Sequence, residues 1–124
     1  MRNVIFILVA LLASPASTAK ADDQTKEYGG NARSIIEIYD HILVQEDRKH
    51  IERLIRGMQI GLLWANTLLK NRKQPLLYCQ PDRLTLTDTQ VIDMMRQAII
   101  DKPKWGDFPL GMMVLFTLQR NFPC

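Results

Sequence analysis

The chain has 124 residues, 47% of them hydrophobic, and 16 Lys and Arg against 13 Asp and Glu, a formal charge of +3. That length fits one domain with one modest core. So small a charge gives no general electrostatic pull on nucleic acid or on an anionic membrane, which excludes binding of that kind.

Met1-Arg2-Asn3 is a short basic start, residues 4–13 are an uncharged apolar run, and residues 14–21 are mostly small, with a helix-breaking Pro15. Ala19-x-Ala21 is a cleavage pattern, so residues 1–21 are read as a secretory signal peptide and Asp22 as the first mature residue. The apolar run is shorter than the roughly 20 residues a spanning helix needs. No cysteine sits near the cut, which argues against a lipoprotein. Cleavage removes Arg2 and Lys20 and leaves 14 basic against 13 acidic side chains. The expected location is the periplasm, with no membrane contact after cleavage.

Residues 22–30 are polar, end in Gly29-Gly30, and read as a flexible leader. Residues 31–124 read as one helical domain. Ile35, Ile38, Tyr39 and Ile42 recur at helical spacing and predict a first helix over residues 32–45. Glu46-Asp47-Arg48-Lys49 is a charged patch, either a turn or a solvated helix face. A second helix is predicted over residues 48–71. Ile51, Leu54, Ile55, Met58, Leu62, Ala65 and Leu69 step by three or four, while Ile60, Leu63, Trp64 and Leu68 load its other side. A helix so apolar is expected at the centre, touched by several neighbours. Gly57 and Gly61 lie inside it and cost helix propensity, roughly 1 kcal/mol each against alanine. They are expected to admit another backbone, as a helix-packing or dimer contact.

Pro75 and Pro81 frame an extended connector that holds Cys79. Thr87 and Gln90 have the spacing of a capping box and open a third helix over residues 88–101, with an apolar stripe of Val91, Met94, Met95, Ala98 and Ile99. Lys102-Pro103 stops it. Asp107 is the expected N-cap of a last helix, with Pro109 in its first turn. Residues 110–118 are apolar nearly all round, so this helix is expected to be the most buried. The expected fold class is all-α, a small bundle of about four helices. The methionines, Met58, Met94, Met95, Met112 and Met113, are expected to fill core gaps.

Cys79 and Cys124 are the only cysteines. In an oxidising compartment they are expected to pair; two free thiols or an intermolecular bridge are the alternatives. A closed loop of about 45 residues restricts the unfolded chain by roughly 4 kcal/mol in the chain-entropy model.

Little else carries chemistry. Asp40 and His41 are adjacent and point in different directions on a helix, so they cannot serve one atom. His41 and His50 lack metal-ligand spacing, and neither the zinc motifs nor a phosphate-binding glycine loop is present. Ser34 is the only serine beyond residue 21 and lies at a helix start. No catalytic residue, metal ligand or cofactor site is assigned, and the chain is not expected to be an enzyme.

The stretch Gly57-Met58-Gln59-Ile60-Gly61-Leu62-Leu63-Trp64-Ala65-Asn66 resembles the G-x-x-x-G helix of the Rap/Tai immunity protein family. Tyr78-Cys79-Gln80-Pro81, then Leu84-Thr85-Leu86-Thr87 and Gln90, resembles that family's Cys-x-Pro segment and the helix it leads into. Asp101-Lys102-Pro103 and the Phe122-Pro123-Cys124 end are also similar, in the same order, over residues 56–124. The chain departs from many members in having no cysteine in its first two helices. The resemblance implies an exported all-helical domain, often a homodimer, that binds type VI secretion effectors cleaving peptidoglycan peptides. The expected function is thus a periplasmic immunity-type inhibitor whose partner is a peptidoglycan amidase. A periplasmic stress or chaperone-like helical protein without an effector partner is the alternative.

Overall fold

The computed structural model describes residues 30–124. The expected signal peptide, its Ala19 and Ala21, and residues 22–29 of the leader lie outside them. Four α-helices follow in order: α1 (Ala32–His41), α2 (Gln45–Asn71), α3 (Asp88–Asp101) and α4 (Leu110–Asn121). A 3-10 turn at Pro103–Asp107 joins the last two. The described residues hold no strand, only an isolated bridge between Asn31 and Pro109. The domain is all-α, as its periodicity predicts.

Asn31 caps α1, its side-chain oxygen accepting the Ser34 N–H at 2.9 Å. The Ala32 N–H donates to the Phe108 carbonyl at 2.9 Å, which pins the start of α1 beside the start of α4. α1 then ends at His41, four residues before the expected end, and α2 begins at Gln45. The cause is the grip of α2 on Tyr39. The Arg48 guanidinium lies 5.1 Å over the Tyr39 ring and its Nε donates to the Tyr39 carbonyl at 3.3 Å. The Tyr39 hydroxyl donates to Glu52 at 2.8 Å. Those contacts require the chain to reverse at residues 42–44, where Ile42 and Val44 are extended. The charged patch becomes the first turn of α2, where Glu46 and Asp47 suit the positive end of the helix dipole.

α2 stops at Asn71 in a Schellman-type cap. The Gln74 N–H donates to the Leu69 carbonyl at 2.9 Å and the Lys73 N–H to the Lys70 carbonyl at 3.1 Å. Lys73 takes φ 54°, the position a glycine usually fills. α3 opens on the predicted capping box: the Gln90 N–H donates to Thr87 Oγ1 at 3.2 Å, and Gln90 Oε1 accepts the Thr87 N–H at 2.8 Å.

Asp107 does not cap the last helix. It ends the 3-10 turn and its carboxylate lies 3.9 Å from Arg33 Nε, while Pro109 is the N-cap of α4. Phe108 is extended because its carbonyl is held by Ala32, and that fixes the later start.

The core is built on α3 and α4. Val91, Ile92, Met95, Ala98 and Ile99 pack with Leu110, Met113, Val114 and Leu118, and α1 adds Ala32, Ile36 and Tyr39. α4 thus shares the centre with α3. Of the methionines, Met95 and Met113 are fully buried, Met58 and Met94 partly so, and Met112 faces outward. The expectation for α2 holds in part: the helix touches α1, α3 and α4 as expected, but it is not central, since Ile55 is its one buried residue and it lies along the outside. Apolar residues on all sides describe how sticky a helix is, not how many neighbours cover it. No described helix is long and apolar enough to cross a membrane.

Thr117 is wholly buried in α4, and its hydroxyl has no hydrogen-bond partner among the described residues. Thr117→Val keeps the shape and removes that orphan group. It should raise the unfolding free energy by about 1 kcal/mol, seen as a Tm several degrees higher in a thermal melt. A lower Tm would show that the hydroxyl is satisfied.

Candidate functional site

The connector between α2 and α3 is tied down by side chains. Asn66 accepts the Leu77 N–H at 2.7 Å and donates to the Tyr78 carbonyl at 2.8 Å. Gln119 of α4 donates to the Leu77 carbonyl at 3.0 Å, and the Cys79 N–H donates to the Phe122 carbonyl at 2.8 Å. Cys79 and Cys124 then form an intramolecular disulfide, with Cα atoms 5.0 Å apart. The connector is thereby joined to α2 on one side and to the end of α4 on the other. Neither cysteine is a free thiol, so Cys79 is a staple here and not a nucleophile.

Fixing the connector shapes a groove of about 600 Å³ between it and α2. Ile60 and Leu63 form one wall, and Tyr78, Leu84 and Leu86 the other. An ion pair closes one end. Arg56 Nη2 and Nε lie 2.8 and 3.1 Å from Asp88 Oδ2, and Gln59 adds a weaker hydrogen bond at 3.3 Å. The Asp88 hydrogen bond, then its charge, holds the Arg56 guanidinium above its ordinary pKa. Asp88 is largely buried at the first turn of α3, so this pair docks α2 onto that helix end.

Beyond the groove the outer face of α2 continues as bare apolar surface. Leu54, Ile60, Leu63, Trp64 and Leu68 are between 44% and 64% exposed. Gly57 and Gly61 sit in the middle of this face, and no atom lies within 4 Å of where a Cβ would stand on either. Among the described residues no other element packs on the two glycines, so a packing role is not found there. Together they cost the helix about 2 kcal/mol against alanine. Nothing inside the described chain offsets that cost.

A second recess, of about 560 Å³, lies where α1 meets α2, lined by Tyr39, Ile42, Leu43, Arg48 and Glu52 among others. Burial, then the hydrogen bond to Glu52, pushes the Tyr39 pKa up, so its hydroxyl stays protonated and donates. His41 Nδ1 lies 2.7 Å from the Glu37 carbonyl, and both His41 and His50 are exposed. Asp40 is held by Arg96 at 2.6 Å, on the side facing α3, away from His41. Ser34 sits in the first turn of α1 without a histidine partner among the described residues. No group of three or more His, Cys, Asp or Glu among the described residues could hold a metal. What the described surface offers is contact: an apolar helix face and an adjoining groove, larger than scattered single hydrophobics.

Two features escaped sequence reasoning. Asp88 and Arg56 are 32 residues apart, and no local pattern links them. Asn66 carried a signal, since it falls four and eight residues after Leu62 and Met58 on the inward face of α2, where a lone amide needs a backbone partner. Asn66→Ala leaves the Leu77 N–H and Tyr78 carbonyl without it. The variant should lose about 2 kcal/mol in denaturant unfolding while its far-ultraviolet circular dichroism stays helical. A loss below about 0.5 kcal/mol would show that the connector holds without this amide.

No protein-family model, curated protein or solved structure matches this chain.

Proposed function

We propose that this chain is an exported protein-binding domain that acts as an immunity-type inhibitor, blocking a peptidoglycan amidase effector of type VI secretion in the periplasm. The observation that carries the binding role is the exposed apolar face of α2 with its adjoining groove. Apolar surface of this extent on a small domain serves contact with another macromolecule. The amidase as partner rests on the ordered resemblance of residues 56–124, from the glycine pair through the Cys79 segment to Phe122-Pro123-Cys124. In this reading the domain brings no chemistry of its own and works by filling or covering the enzyme's cleft.

A stress or chaperone role predicts apolar surface that opens on acidification. The carboxylate of Asp101 gives that role little to work with. The hydrogen bond from Arg120, then that from Gln97, holds the Asp101 carboxyl below its ordinary pKa. Its stabilisation is therefore present at neutral pH and lost only as pH falls through that lowered value. The pair is solvent-facing, so its release uncovers little.

The deciding experiment mixes the purified chain with a peptidoglycan amidase effector of type VI secretion and follows cleavage of peptidoglycan peptides. Stoichiometric inhibition at micromolar concentration is expected. Leu63→Asp, at the lip of the groove, should weaken it at least tenfold without loss of helix. No binding at micromolar concentration would remove the immunity role. A rise in apolar-dye binding at low pH would favour the stress role instead.

A further inference from the structure

We propose that the groove between α2 and the connector takes the C-terminal tail of a partner protein, an extended apolar segment of about five residues whose terminal carboxylate meets Arg56. The inference rests on the binding role given above to this groove. It names the chemistry of what fills the groove, not the identity of the partner.

Slack in the connector opens the space. Tyr78 is tied to Asn66, and Asp88 to Arg56, so the connector returns along α2 from the first anchor to the second. From Arg56 to Asn66 the helix rises about 15 Å. Fully extended, the chain from Tyr78 to Asp88 could span about 33 Å. A turn takes up the excess, closed by the Leu84 N–H donating to the Pro81 carbonyl at 2.9 Å, and the connector bows away from the helix. What remains between them is about 15 Å long, room for four or five extended residues at roughly 3.3 Å each.

The walls ask for apolar side chains, since Ile60, Leu63 and Leu84 are all exposed there. A strand sends alternate side chains to one face, so the last residue of the tail and the third from its end enter together. The connector also offers main chain. Among the described residues the N–H and C=O groups of Thr85 and Leu86 have no partner, although their neighbours do: Gln80 donates to the Leu84 carbonyl at 2.6 Å, and Gln90 accepts the Thr87 N–H. An extended occupant can pair with those free groups as an added strand does.

The closed end selects the terminus. An internal segment would have to climb over the Arg56–Asp88 pair, whereas a chain end stops at it. The pair turns its cation outward: the Arg56 side chain is 64% exposed, that of Asp88 10%. Asp88 takes the Nε and Nη2 donors of Arg56, and Nη1 has no partner among the described residues. Gln59 gives one amide hydrogen to Asp88 and has another to give. Unused donors on a guanidinium match a carboxylate and reject an ammonium, so the tail is a C-terminus. Asp82, on the outer turn, has no ion-pair partner among the described residues and suits a basic residue further back in the tail.

Fluorescence anisotropy tests this, with the purified chain titrated into a fluorescein-labelled pentapeptide, lysine-threonine-valine-threonine-leucine, that ends in a free carboxylate. Saturable micromolar binding is expected. The same peptide ending in an amide should bind about tenfold more weakly. Ile60→Asp should weaken binding about tenfold with helix content unchanged, since that side chain is exposed. Arg56→Lys keeps the charge and loses the planar fork, so it should bring the acid and amide peptides closer together in affinity. No binding at high micromolar concentration, equal binding of acid and amide peptides, which would put an internal segment in the groove, or indifference to Ile60→Asp would each overturn the proposal. The peptide assay contains no amidase, so these results are separate from a loss of inhibition, which would remove the immunity role alone.

Discussion

The rest of the structure depends on how the connector after α2 is held. A segment framed by two prolines has no helical hydrogen bonds of its own and must find partners elsewhere. Asn66 supplies two of them, Gln119 a third, and the disulfide makes the arrangement covalent. Once the segment is fixed, Tyr78 can be buried against the core, Thr87 stands where it caps α3, and Asp88 meets Arg56. A loop that would otherwise be loose becomes one wall of a groove.

Much of this was legible in the residues because the forces involved are local. The capping box at Thr87 and Gln90, the stop at Lys102-Pro103 and the stripe of α3 depend on neighbours three or four positions away, and they stand where their spacing puts them. The two cysteines left one intramolecular pairing to consider. The boundary between α1 and α2 was less readable. Helical periodicity runs through Ile42, and only the remote hold of Arg48 and Glu52 on Tyr39 forces the chain to turn there. The same holds at Asp107, a good capping residue overruled by the bridge from Asn31 to Pro109 and the hydrogen bond from Ala32 to Phe108.

α2 shows what periodicity leaves out. Hydrophobicity on both sides of a helix states a demand for cover without saying who provides it. Inside the domain only the side bearing Ile55 is covered, and the side bearing Gly57 and Gly61 is bare. The glycine pair was therefore visible in the sequence, while its location on the bare outside was not. The groove was not visible at all, since its walls come from α2 and a connector whose path is set by Asn66.

The covalent loop from Cys79 to Cys124 encloses the last part of the connector, α3, the 3-10 turn and α4, and leaves α1 and α2 outside it. The domain is thus divided into a ring and an appendage. Within the ring, opening is limited by a bond; the appendage is held to it by packing, the Arg56–Asp88 and Asp40–Arg96 pairs, and the hydrogen bonds of Ala32 to Phe108 and Gln119 to Leu77. Amide hydrogens of α3 and α4 are therefore expected to exchange more slowly than those of α1 and α2. The half of the molecule that presents its apolar face outward is also the half with the greater freedom to adjust that face.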